Sequence, residues 1–91
     1  MYALVIEPVT MPQIDRAGRL PAWKQIAAAL RRGIADGTYP PGTPLPSISR
    51  LVQEYGVARL TANKALRAMA AEGLAELEPG MGFYVTGRNS E

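Results

Sequence analysis

The sequence predicts a mainly α-helical fold that ends in a small β-hairpin. Three segments carry apolar residues at spacings of three and four, the period of one helix face, and glycine or proline separates these segments. After the third segment, apolar and acidic residues alternate up to a Pro-Gly turn, which is typical of paired strands. A chain of 91 residues suffices for one small domain, so we expect three short helices packed with one hairpin.

The first 20 residues are predicted to form an N-terminal extension. Residues 2–6, YALVI, include two β-branched side chains and predict a short strand. Residues 8–21 contain three prolines and a glycine, and they predict a connector with at most one brief strand near Ile14. Met11 is an alternative start of the chain, which would make the preceding residues an upstream extension.

The first helix is predicted to begin at Ala22. A proline at position 21 is tolerated in the first turn, and Gly37 is a suitable stop. One face carries an apolar stripe: Trp23, Ile26, Leu30 and Ile34. Trp23 is expected to anchor the core rather than bind a ligand, and Arg31 and Arg32 are expected to be ordinary exposed charges.

The second helix follows a stretch rich in proline, residues 37–46, which predicts a rigid turn. Ser47 is a suitable N-cap because its hydroxyl can accept a hydrogen bond from a first-turn amide. The helix has an apolar stripe and ends at Gly56, which can adopt a left-handed conformation. The stripe consists of Ile48, Leu51, Val52 and Tyr55.

The third helix is predicted to run from Ala58 or Arg59 to Glu72, with Gly73 as its stop. Its inner stripe consists of Ala65, Leu66 and Met69. The other side of this segment is basic and contains no acid before its end.

The hairpin is predicted from the tail of the chain. Ala75 and Leu77 alternate with two glutamates, the pattern of a half-buried strand, and the chain returns after Pro79-Gly80. The returning strand contains Phe83, Tyr84 and Val85; Tyr84 is expected to pack in the hairpin. Three helices, a tight turn between the last two and a terminal hairpin make a winged helix-turn-helix. We place this domain at residues 21–87, with residues 88–91 as a tail.

Composition excludes several classes of function. The chain has no cysteine and no histidine, so disulfides, thiolate chemistry, imidazole bases and the usual zinc sites are absent, and no cofactor or metal is predicted. An enzyme is the poorest fit. No apolar run approaches the ~20 residues of a membrane helix, and the start lacks the basic region of a signal peptide, so a cytoplasmic location is expected. The net charge of +2 is only a weak indication of nucleic acid.

Four stretches also carry a family resemblance: PAWKQIAAALRRGIADG, YPPGTPLPS, LVQEYGVARLTANKALRAMAAEGL and GMGFYV. In order and spacing they resemble the DNA-binding domain of the GntR family of bacterial transcription regulators. The matching parts are its first helix, its Pro-Gly turn, its helix-turn-helix with a Gly-Leu exit, and its wing. The resemblance implies that the third helix enters the major groove of DNA. It also implies that the wing lies over the backbone or the minor groove.

The resemblance implies a set of DNA-binding residues. Arg59 matches the family's arginine at the start of the recognition helix, and arginine can bind O6 and N7 of guanine together. A cation at that end opposes the helix dipole, which favours a functional reason for it. Thr61 matches a threonine placed against phosphate. Gly80 and Gly82 match wing glycines, where the lack of Cβ permits close approach to the duplex.

Other residues of the same region leave alternatives open. Asn63 can pair with adenine, or it is a surface polar residue. Leu60 can contact a thymine methyl group, but packing into the core is the preferred interpretation. Lys64 and Arg67 are expected to position phosphate, against the alternative of a solvated face. Ser47 can cap its helix and also donate to phosphate.

The chain departs from the family pattern at several positions. The Glu-Arg pair usual after the Pro-Ser of the second helix is Ile48-Ser49 here, so Ser49 stands where the family often has a DNA-binding arginine. Arg50 can replace that charge only from a different direction. Ala58 replaces a capping serine, and residues 78–79 replace basic residues of the wing. The expected positive footprint is therefore reduced.

The predicted partner is double-stranded DNA. We expect a repressor that binds an inverted repeat as a homodimer, since one short helix reads few bases. The resemblance also implies a C-terminal domain that dimerises and senses metabolites, which this chain does not contain. Either the chain is a fragment or another element pairs the protomers, and the strand at residues 2–6 is the candidate. The alternative is a protein-interaction module or a partner-dependent DNA binder. The sequence indicates no particular effector.

Overall fold

The computed structural model describes residues 14–15 and 18–87, and the predicted N-terminal strand, Met11 and the tail lie outside them. Three helices are followed by one antiparallel hairpin, which confirms the mainly α winged helix-turn-helix. Residues 14 and 15 belong to no strand. The elements are α1 (Ala22–Ala35), α2 (Ile48–Tyr55), α3 (Arg59–Ala71), β1 (Ala75–Glu78) and β2 (Gly82–Val85).

The ends of α2 and α3 follow the local sequence. The Oγ of Ser47 accepts a hydrogen bond from the amide of Arg50 at 3.0 Å, which confirms Ser47 as the N-cap. Gly56 ends α2 in a left-handed conformation with φ of 66°. Ala58 has the extended backbone of an N-cap but offers no side-chain acceptor. Three residues, 56–58, thus form the tight turn between the two helices, and α3 begins without a side-chain cap.

The core lies where the inner stripes of the three helices meet the start of β1 and the inner face of β2. The predicted stripe residues of α1 and α3 reach it, with Trp23 and Ile34 half-buried at its edge. Its larger members are Ile26, Leu30, Leu45, Leu51, Leu66, Met69, Phe83 and Val85. Full burial of one such side chain stabilises the folded state by about 1.5–3 kcal/mol. Together these contributions are the main stabilising term for a domain of this size.

Two predictions of burial were wrong. Leu60 is 82% exposed, because it lies on the side of α3 turned away from the core. Leu77 is 53% exposed, because Ala75 is the only buried residue of β1 and Leu77 instead lines an open groove beside α3.

The helices α1 and α3 run side by side along a seam of small residues. Buried alanines on both helices, Ala27 of α1 with Ala62 and Ala65 of α3, leave room for close approach. At one end, the Nζ of Lys64 lies 4.9 Å from the centre of the Trp23 ring. At the other, Arg31 donates from Nε and Nη2 to the two carboxylate oxygens of Glu72 at 2.8 and 2.6 Å. These hydrogen bonds lower the pKa of Glu72. Arg31 is therefore an exposed but paired charge that joins α1 to the end of α3.

The turn before α2 pairs with the wing, which sequence reasoning missed. The amide of Leu45 donates to the carbonyl of Phe83 at 2.9 Å, and the amide of Val85 donates to the carbonyl of Thr43 at 2.8 Å. Residues 42–45 therefore line the free edge of β2 like a short third strand. This pairing fixes the wing relative to the start of α2.

Candidate nucleic-acid interface

An open groove lies between the start of α2, the exposed side of α3 and the wing. The helices supply its polar residues: Ser47, Ser49, Arg59, Asn63 and Arg67. Its apolar walls come from the core and wing, and they include Leu66, Leu77, Met81 and Phe83. Six of the ten predicted DNA-binding residues thus line one surface: the five polar residues and Gly82.

Helical spacing places the three polar residues of α3 in one row. Arg59, Asn63 and Arg67 follow at intervals of four, so their side chains project from neighbouring turns of the same face. Arg59 and Arg67 are exposed, and Asn63 is half-buried in the groove. The side chains therefore present two guanidinium groups with an amide between them.

The side chain of Arg59 forms a hydrogen bond with a residue of the neighbouring helix, α2. Its Nη1 donates to the Oγ of Ser49 across 3.3 Å, a long hydrogen bond that joins α3 to α2. Ser49 therefore contacts the residue that was predicted to read DNA, although it carries no charge of its own.

Arg50 does not replace the missing charge at position 49. Its Nε donates to Glu54 at 2.8 Å within α2, and this carboxylate raises the pKa of Arg50. The pair occupies the i and i+4 positions on an exposed side of the helix. The positive charge of Arg50 is thus balanced locally.

The remaining predicted residues of α3 lie outside the groove. Leu60 and Lys64 are exposed further round the helix, and Thr61 is half-buried. Lys64 reaches over Trp23 of α1, so its ammonium sits beside the seam between the two helices. Sequence reasoning missed this contact because the residues are 41 positions apart in the chain.

The wing glycines have a conformational role. Gly80 and Gly82 have φ of 78° and 111°, values that residues with a Cβ rarely adopt. A Cβ at either position would meet no atom within 4 Å, so the tight turn itself requires glycine. Between them Met81 is 69% exposed. The wing tip therefore combines glycine geometry with an exposed thioether.

Among residues 14–15 and 18–87, no cluster of acidic side chains could hold a metal ion. Helices long and apolar enough to cross a membrane are likewise not found in this part of the chain.

A sequence model of the bacterial regulatory proteins of the gntR family matches residues 22–85. This range covers more than half of the chain. The chain belongs to the GntR family. The winged helix-turn-helix and the resemblance of its motifs are thereby confirmed.

Curated relatives include two named repressors. The mannosyl-D-glycerate transport/metabolism system repressor MngR of Escherichia coli is 41% identical over 68 residues, which are 75% of this chain and 28% of that protein. The transcriptional repressor NagR of Bacillus subtilis is 32% identical over 73 residues, which are 80% of this chain and 30% of that protein. The chain spans less than a third of the length of either relative.

Solved structures share the fold. The GntR-family transcription factor YtrA from Sulfolobus acidocaldarius superposes with a TM-score of 0.77 at 35% identity, over 86% of this chain and 66% of that one. The DNA-binding domain of AraR in complex with operator ORE1 gives 0.72 at 27% identity, over 86% and 94%. These four proteins are named repressors, a transcription factor and an operator-bound domain, and none is named as an enzyme.

Proposed function

We propose that the chain is a sequence-specific DNA-binding regulator of transcription that acts as a repressor. The observation that carries the proposal is the row of Arg59, Asn63 and Arg67 beside the hydroxyl groups at the start of α2. Guanidinium and amide groups read base edges in the major groove, and hydroxyl groups donate to phosphate. The names of MngR and NagR as repressors, and of the AraR domain as operator-bound, support this function.

The proposed docking places α3 in the major groove and the wing over the backbone or minor groove. Arg59 binds guanine and Asn63 binds adenine. The two residues are four positions apart, about 6 Å along the helix. Their bases therefore lie within about two base-pair steps of about 3.4 Å each. Arg67, Lys64, Thr61 and Ser47 act on phosphates.

We further propose a homodimer on an inverted repeat. One helix with two side chains that read bases distinguishes few DNA sequences. Two copies of the chain, bound about one duplex turn apart, read twice as many bases and so bind one operator more selectively. The strand proposed to pair the protomers lies outside the described residues. Deleting residues 1–10 is expected to shift the mass measured by light scattering from dimer to monomer. An unchanged mass would exclude this strand as the dimerisation element. The proposed location is the cytoplasm, at the nucleoid.

The test is selection from a pool of random duplexes at low and moderate salt, with Arg59→Ala alongside. We expect an enriched inverted repeat containing guanine, with binding that weakens as salt rises. Loss of one bidentate contact costs about 1–3 kcal/mol, so Arg59→Ala should bind that repeat about 5- to 150-fold more weakly. Arg32→Ala, which removes an exposed charge from the last turn of α1, is the matched control and should retain the selection.

The exposed apolar residues favour a second candidate, a protein-interaction module. Leu60, Leu77 and Met81 are all more than half exposed, and the two glutamates that flank Leu77 in β1 are exposed as well. A surface of this kind suits a protein better than phosphate. Absence of binding to any duplex at low salt would select this candidate over the first.

A further inference from the structure

The ring of Trp23 lies close to two ammonium groups from different helices. The Nζ of Lys64, on α3, is 4.9 Å from the centre of its ring. The Nζ of Lys24, on the first turn of α1, is 5.7 Å from the same point. Both distances fall within the ~6 Å over which an aromatic face attracts a cation. The ring therefore holds the ammonium groups of Lys24 and Lys64 near one point, an arrangement that the sequence pattern does not predict.

Neither lysine forms an ion pair with a carboxylate of the described residues. Within residues 14–15 and 18–87, both ion pairs involve arginine, and no carboxylate lies within 4.0 Å of either ammonium. Both lysine side chains are exposed, and the first turns of α1 and α3 contain no acid. Two like charges at one ring repel each other, and an anion would relieve that repulsion.

The two lysines flank the exposed face of α3 on the side away from the wing. The groove beside the wing takes Arg59 and Asn63 on one flank. Trp23 lies with Ala68 and Ala71 on the other flank. Leu60 is exposed between them. A helix about 10–12 Å wide fills a major groove of about 12 Å, so it has a phosphate backbone on each side.

We propose that Trp23, Lys24 and Lys64 form a clamp for phosphates of the DNA backbone, on the strand opposite the one that the wing approaches. The inference rests on the proposed function and extends it to α1. Trp23 restrains the lysine side chains but leaves them able to donate hydrogen bonds. An ammonium has three N–H groups, and those that do not face the ring point to solvent. Contacts to both backbones set how deeply α3 enters the groove.

The first test measures binding of the 91-residue chain to a 20-base-pair duplex of arbitrary sequence as a function of salt. Phosphate contacts are independent of sequence, so no operator is needed. Lys24→Gln and Lys64→Gln should each lower the slope of log K against log salt by about 0.9 per bound chain, and the double variant by about twice that. Arg32→Gln is the control, because it removes a cation about two turns further along α1 and should leave the slope unchanged.

The second test uses Trp23 itself, which is the sole tryptophan of the chain. Saturation with the duplex should change its emission, since phosphates alter the position of the ammonium groups at the ring. Trp23→Phe keeps a ring and should retain the slope, whereas Trp23→Leu should lower it. Far-UV circular dichroism establishes that each variant is folded.

The outcomes separate this inference from the proposed function. No binding by the unaltered chain at low salt would overturn both. A second outcome would overturn the clamp alone. In it the chain binds the duplex, and the salt slopes of Lys24→Gln and Lys64→Gln are as steep as that of the control Arg32→Gln. Unchanged emission of Trp23 at saturating duplex would also overturn it.

Discussion

Nη1 of Arg59 lies 3.3 Å from Oγ of Ser49, so the first turn of α3 is tied to the start of α2. A flexible arginine loses about 0.5–1.5 kcal/mol of side-chain freedom when it is immobilised on a partner. The hydroxyl already restrains this side chain before any ligand arrives. We therefore expect Ser49 to contribute to recognition as a positioning residue, without a charge of its own.

Ser49→Ala is expected to weaken binding to the selected repeat about two- to twelvefold, because Arg59 must then be ordered during binding. The effect should depend on Arg59, so Ser49→Ala should cost nothing further in an Arg59→Ala background. Fluorescence anisotropy with labelled duplex measures both. Gln53→Ala, an exposed change elsewhere on α2, is the control. Equal losses in the two backgrounds would show that Ser49 acts independently of Arg59.

Leu60 is expected to read a thymine methyl group, because a side chain 82% exposed on the recognition helix has no role in the core. Replacing that thymine by uracil removes one methyl group, worth about 0.8 kcal/mol, and should weaken binding about fourfold. Leu60→Gln should bind the two duplexes equally. Its stability should change by less than about 0.5 kcal/mol, as measured by urea unfolding. If the wild-type chain does not distinguish thymine from uracil anywhere in the repeat, Leu60 reads no methyl group.

The start of α3 should accept a better cap. Ala58 has the extended backbone of an N-cap with no side-chain acceptor, so Ala58→Ser should stabilise the fold by about 0.5–2 kcal/mol. Ser47→Ala should destabilise it by a similar amount, because it removes the hydrogen bond to the amide of Arg50. Thermal unfolding measures both, at about 4–8 °C per kcal/mol.

Ala71→Ser controls for the change of residue type. It lies in the last turn of α3, where serine cannot cap and its weaker helix propensity should cost up to about 0.5 kcal/mol. A gain from Ala71→Ser as large as that from Ala58→Ser would contradict the capping explanation.

Local pattern was sufficient to predict the elements. The apolar stripes, the cap at Ser47 and the left-handed Gly56 each depend on neighbours within one or two turns, and all appear in the structure. Leu77 was predicted wrongly because alternation gives the side of a strand but not how far the core extends beneath it. Leu60 was misassigned for a related reason: an apolar residue on a helix need not face inward.

The arrangement of the candidate site could be predicted only in part. The row from Arg59 to Arg67 follows from helical spacing. The contacts of Trp23 with Lys64 and of Arg31 with Glu72 each join residues 41 positions apart, so they depend on how α1 packs along α3. The pairing of residues 42–45 with β2 likewise depends on tertiary structure, and it determines where the wing stands.

Gly33 carries the last prediction, because its lack of a side chain makes room for Tyr39. A Cβ at Gly33 would lie 2.5 and 2.7 Å from two ring carbons of Tyr39. The ring cannot move away freely, since the amide of Tyr39 donates to the carbonyl of Gly33 at 3.0 Å and the ring packs against the core. Gly33→Ala would otherwise stabilise a helix interior by about 1 kcal/mol. We expect overpacking to exceed this gain and to destabilise the fold by about 1–3 kcal/mol.

The control is the same change in a Tyr39→Ala background. There the ring is gone, and Gly33→Ala should stabilise the fold by up to about 1 kcal/mol, so the sign of the effect reverses. Urea unfolding of the four chains gives the coupling between the two positions. Stabilisation by Gly33→Ala with Tyr39 present would mean that the turn after α1 yields without cost. In that case the turn between α1 and the proline-rich segment would not require glycine at position 33.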